Sequence, residues 1–238
     1  MQYSTYKLNA RHATKRLVNE RWFRPWRGYL ARNAVILPSV TAQDVEICRG
    51  HRIFDEFTRF VIYENRLSGW EGFERPLKAR FASIFGQERV LSSFCDLRMM
   101  NIKDDFGFGL SGKPSHDFAN YDTCNFYYDI GKWLPGHIGA FRKGSPMFFT
   151  FDADYNGRMQ SGMNGFPECS GEDLEMVRKG MDYFMGLYNE RIIERTQRNA
   201  ARLLAYIRSM GIQVRGAEIY KEPAEQSKAM VFVSGVKR

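Results

Sequence analysis

Four carboxylates stand directly behind short apolar runs, and that placement is where this chain could do chemistry. Glu64 follows RFVIY, Asp96 closes the stretch RVLSSFC, Asp129 follows NFYY and Asp152 follows PMFFTF. A run of this kind reads as a strand buried on both faces. In an open α/β sheet the carboxyl ends of such strands border the ligand crevice. A carboxylate there can accept two hydrogen bonds from a sugar diol, or orient an acceptor group and take its proton. The first apolar run, AVIL at 34–37, ends instead in the polar loop LPSVTAQD, which offers Pro38, Ser39 and Thr41.

The elements that must hold these residues alternate. Ala34–Leu37, Arg59–Tyr63, Arg89–Phe94, Asn125–Tyr128 and Pro146–Phe151 read as five strands. Between them, Ala42–Arg49 reads as a helix capped by Thr41 or Ser39, and Trp70–Phe85 as a helix closed by Gly86. Residues 101–121 and 155–171 are rich in glycine and polar groups and read as long loops. Glu172–Ser209 reads as helix throughout, with a break near Gly186. The chain then changes character. Ile212–Tyr220 and Ala229–Val233 are two strands joined by a short polar loop, and a parallel return needs a longer crossover. The expected fold class is therefore α/β: a mostly parallel sheet, helices on both faces, and an antiparallel C-terminal β-hairpin.

Charge is concentrated at one end. Residues 1–33 hold Lys15, Arg16, Arg21, Arg24, Arg27 and three further basic residues against the single acid Glu20, out of a formal net charge of +8. Trp22, Trp26 and Tyr29 are interleaved with them. Arginine grips phosphate bidentately and aromatic rings offer stacking faces, so this segment is expected to contact nucleic acid. A solvated helix with its tryptophans on the core is the plainer alternative. The organisation expected is a basic, aromatic segment at 1–33 followed by one domain at 34–238. No apolar run approaches the ~18 residues of a membrane span, and the N-terminus lacks the apolar region of a secretory signal. A cytoplasmic location is expected, in the host cytoplasm if the source is viral. Cys48, Cys95, Cys124 and Cys169 form no C-x-x-C pair and read as free thiols. The histidines lack ligand spacing, so no metal is expected.

Five strands with helices between them, closed by an antiparallel pair and carrying acids at the strand ends, resemble the class I S-adenosylmethionine-dependent methyltransferases. These are Rossmann-like proteins, and the resemblance covers about residues 34–238. It implies S-adenosylmethionine as cofactor. Pro38, Ser39 and Thr41 would lie against its methionine part, Glu64 on the ribose hydroxyls and Asp96 beside the adenine. Asp129 would orient or deprotonate the acceptor, for which the basic segment suggests nucleic acid. The family's first loop is normally rich in glycine, whereas LPSVTAQD has none. A second reading therefore stands beside the first: a Rossmann-like subunit without catalysis that binds nucleic acid or serves in assembly. A minor third comes from Asp152-Ala153-Asp154, which resembles the metal-binding D-x-D of GT-A glycosyltransferases.

Overall fold

The computed structural model describes residues 13–38, 41–64, 70–86, 92–96, 114–122, 134–152, 166–181, 190–221 and 229–238. Its elements in chain order are α1 (Ala13–Phe23), a 3-10 turn (Arg24–Trp26), β1 (Asn33–Ile36), α2 (Gln43–Gly50), β2 (Arg59–Glu64), α3 (Trp70–Phe85) and β3 (Ser92–Asp96). Then follow β4 (Phe118–Asp122), β5 (Pro146–Asp152), α4 (Gly171–Lys179), α5 (Glu190–Ser209), β6 (Ile212–Lys221) and β7 (Ala229–Lys237). Seven strands form one sheet in the order β3-β2-β1-β4-β5-β7-β6. The chain divides into two compact units, Met1–Asn120 and Tyr121–Arg238, with the boundary inside β4.

In the first unit β1 pairs in parallel with β2 and with β4, and β2 pairs in parallel with β3. Side chains alternate between faces along a strand. Successive Ala34, Val35 and Ile36 are nevertheless all buried, so both faces are covered at β1. The core here is aromatic. Phe54 meets Phe60 and Phe118 edge to face at 5.0 and 4.8 Å, and Phe60 meets Phe81 at 5.2 Å. Phe23 reaches the same cluster from α1, 6.3 Å from Phe118. The basic N-terminal stretch is thus built into this unit from residue 13 onward. Pro25 ends the α-helix, as expected of a ring that removes a donor.

In the second unit β7 lies antiparallel between β5 and β6. The expected terminal hairpin is present and longer than its apolar segments suggested, because β6 and β7 run on through Lys221 and Lys237. A bulge between Val214 and Gly216 shifts the register of the edge strand β6. Met147–Phe149 and Phe151 of β5 and Val231–Val233 of β7 are buried without alternation. The long expected helix is two helices. The first is capped by Gly180 and starts with a capping box between Ser170 and Asp173, while Gly186, where the break was expected, lies outside the described residues.

The fourth described strand lies where a loop was expected. It is Phe118–Asp122, within or just beyond the stretch read as a loop, and the run at 125–128 lies outside the described residues. The acid that ends the fourth strand is therefore Asp122, and Asp129, the expected catalytic group, lies outside the described residues.

Candidate functional site

The crevice of such a sheet opens where neighbouring strands depart in opposite directions, here between β1 and β4. Glu64 is the last residue of β2 and Asp96 the last of β3, and the two are register partners. Both expected cofactor acids thus end adjacent parallel strands at the same level of the sheet. Pro38 is buried just beyond β1, while Ser39 lies outside the described residues.

The loop between β1 and α2 is held at several points. Leu37 N donates to Asn120 O at 3.0 Å. Asn120 Nδ2 donates to Asp44 Oδ2 at 2.6 Å, between side chains that are both buried. Arg80 on α3 donates from Nε to Thr41 O at 3.1 Å and from Nη2 to Glu46 at 3.0 Å. Neither expected cap serves α2. Its N-cap is Ala42, in the left-handed conformation at φ 45° with no side-chain cap bond. A residue with a Cβ pays about 1–2 kcal/mol for that region, which glycine visits freely. The loop lacks glycine but takes a turn of the kind glycine usually makes.

Asp44 also reaches Cys48, one turn along α2. Burial pushes the Cys48 thiol well above its ordinary range, and the negative charges of Asp44 and Glu20 add to the effect. Cys48 is a neutral, packed thiol and offers no nucleophile. In the second unit, Tyr121 of β4 shares a hydrogen bond of 3.0 Å with His137 Nδ1. Burial raises the Tyr121 hydroxyl well above its usual value, so it stays protonated.

The basic residues sit on α1 and the turn after it. Arg16, Arg21, Arg24 and Arg27 are exposed and Lys15 is half-buried. Trp26 packs edge to face on Tyr29 at 5.6 Å. Tyr29 in turn donates to Asp117 O at 2.9 Å. Asp152 ends β5, and Asp154, its partner in the D-x-D reading, lies outside the described residues. Among the described residues no group of acids, histidines and cysteines could hold a metal ion, and no helix is long and apolar enough to cross a membrane.

Sequence reading missed Asp44 and Asn120. The signal was there: an asparagine inside the run FANY, in the interior of a strand, must find a partner once buried.

The strand order 3-2-1-4-5-7-6 with a reversed last strand defines a class I methyltransferase fold, a Rossmann-like sheet. Solved structures bear this out. The chain is similar to an O-methyltransferase from Bacillus cereus in complex with S-adenosylhomocysteine, with a TM-score of 0.53 and 9% identity, over 98% of this chain and 86% of that one. It is similar to TomG, an O-methyltransferase of tomaymycin synthesis from Streptomyces achromogenes in complex with S-adenosylmethionine, with a TM-score of 0.51 and 12% identity, over 96% and 82%. It is also similar to a protein from Lactococcus lactis provisionally named a hemolysin, with a TM-score of 0.55 and 10% identity, over 98% and 89%. Identities this low establish the fold and leave activity to the site. No family model matches the chain, and no curated protein matches it in sequence.

Proposed function

We propose that the protein transfers a methyl group from S-adenosylmethionine to an acceptor, and that the acceptor is a nucleic acid. The observation that carries the methyl-transfer reading is the register of Glu64 with Asp96, at the carboxyl ends of β2 and β3 and beside the loop that follows β1. The cofactor fits this arrangement on two counts. Two acids at one level can serve a ribose diol and an adenine edge, and the left-handed turn at Ala42 brings the loop backbone round tightly as a glycine would. Glu64 would hold the ribose and Asp96 the adenine. Pro38 and Thr41 belong to the loop that would flank the methionine part. The cofactor supplies an electrophilic sulfonium methyl, and the chain's own residues bind, orient and exclude water.

Isothermal titration with S-adenosylhomocysteine tests this reading. Binding is expected, and Glu64→Ala should weaken it by about 1–2 kcal/mol, the loss of hydrogen bonds to a charged acceptor. No heat at millimolar ligand would overturn the reading and favour the noncatalytic subunit, for which the glycine-free loop speaks. An unchanged affinity in the variant would remove Glu64 from the site.

The nucleic-acid acceptor is supported by the exposed Arg16, Arg24 and Arg27 of α1 and the turn after it, and by the Trp26–Tyr29 ring pair in the same stretch. Deleting the segment would not test it, because Phe23 is fully buried in the core. Replacing the three arginines by glutamine should instead flatten the dependence of log Kobs on log salt by about 2 units, at 0.7–0.9 per lost phosphate contact. An unaltered slope would refute the role.

A further inference from the structure

The loop after β1 would lie against the cofactor, and it is gripped at both ends by one residue of another strand. Asn120 accepts the Leu37 amide on its main-chain oxygen, where the loop leaves β1. Its side chain donates to Asp44 in the first turn of α2, where the loop ends. Asp44 and Asn120 are 5% and 3% exposed and stand 76 residues apart in sequence. Taking a carboxylate out of water is costly, and a pair of apolar residues would fill the same space more cheaply. In some proteins a buried polar pair is retained because it fixes one arrangement among several. Here the arrangement fixed is that of a loop with no glycine and a left-handed alanine.

We propose that the Asp44–Asn120 pair is a clasp that positions the loop after β1 for the methionine part of S-adenosylmethionine, an inference that rests on the methyl-transfer reading. In glycine-rich loops the backbone can come close to a ligand because no Cβ intervenes. In this chain the clasp does the positioning instead, by setting where the loop enters and where it leaves. Asn120 and Asp44 act through the loop backbone and are positioning residues. Their chemistry is directional: one donor amide faces one acceptor carboxylate. A change that leaves two carboxylates facing each other removes the match without altering volume, and one that leaves two amides keeps only a neutral hydrogen bond in place of the charge-assisted one.

The test compares the parent chain, Asp44→Asn, Asn120→Asp and the reversed pair carrying both substitutions, which exchanges donor and acceptor. S-adenosylhomocysteine affinity is measured by titration at a temperature where circular dichroism shows every variant folded. Asn120→Asp, which sets two carboxylates against each other, is expected to bind about tenfold more weakly, and Asp44→Asn, which keeps a neutral hydrogen bond in place of the charge-assisted one, about threefold more weakly. The reversed pair is expected to recover most of that affinity. A pair with only a structural role would lower the melting temperature of the single variants and leave the affinity of the folded chain unchanged, and that result would overturn the clasp. A parent chain that takes up no ligand overturns the methyl-transfer reading itself, and the clasp falls with it. Should either single variant fail to fold, Asn120→Ser, which keeps the Leu37 bond and shortens the side chain, is expected to show the same loss. Full affinity in Asn120→Ser would count against the proposal.

Discussion

Replacing Asp117 by alanine is expected to lower stability by about 2–5 kcal/mol, because it strands two backbone amides at the start of β1. Asp117 is 8% exposed. Its Oδ1 accepts from Asn33 N at 2.9 Å and from Arg32 N at 3.1 Å, and its Oδ2 shares the Arg32 amide at 3.1 Å. Its own backbone continues the fastening: its N donates to Asn33 O at 3.0 Å, and its O accepts the Tyr29 hydroxyl at 2.9 Å. The main-chain bonds survive the substitution and the carboxylate bonds do not. At about 2–4 °C per kcal/mol for a chain of this size, the melting temperature should fall by roughly 4–20 °C. Asp117→Asn keeps one acceptor oxygen and should lose distinctly less. Equal melting temperatures for the alanine variant and the parent would show that these amides find other acceptors at little cost.

Asp117 and Asn120 mark the limit of what the sequence could disclose. β1 and β5 were legible because AVIL is an uninterrupted apolar run and PMFFTF is broken only by Thr150, as suits strands covered on both faces. The hairpin was legible because a short polar loop permits only one pairing direction. Glu64 and Asp96 were legible because they follow directly on such runs. β4 was not, because HDFANYD carries two acids and an asparagine in seven residues. Its polar side chains are paid for by partners far along the chain, Asp117 by the start of β1 and Asn120 by Asp44. Local pattern holds no record of such partners. The cap of α2 failed for a related reason. Thr41 and Ser39 are good capping residues by type, but Ala42 takes the capping position with a left-handed backbone, and Thr41 O receives Arg80 from α3 instead. The basic segment shows the converse. Its charge was obvious from composition, whereas its burial through Val18, Asn19 and Phe23 depends on three positions among many arginines. Its exposed arginines are part of a folded surface.

Replacing Gly180 by alanine is expected to be about as damaging as losing Asp117, and for a reason of space rather than hydrogen bonding. Gly180 closes α4 with an ordinary right-handed backbone, at φ −79° and ψ −3°, so no conformational demand selects glycine there. The demand is close approach. A Cβ built on Gly180 would drive into the carbonyl oxygen of Ala217 and lie 3.1 Å from Glu218 Cα. These are backbone atoms of β6, fixed by pairing with β7, where Ala217 stands against Val233 and Glu218 against Phe232. They cannot rotate aside as a side-chain tip would. The contact is also tied from the other direction, because Ile219 N donates to Gly180 O at 3.1 Å. Relief would need α4 to lift from β6, breaking that bond and uncovering Val177 and Met181, which are fully buried. Overpacking in a close-packed interior costs about 1–3 kcal/mol and more where backbone must move, so a loss of about 3 kcal/mol or more is expected. Chemical denaturation of Gly180→Ala against a control such as Gly136→Ala, where an added Cβ meets nothing within 4 Å, isolates the effect. A loss no larger than the control's would show that α4 can shift on β6 without cost.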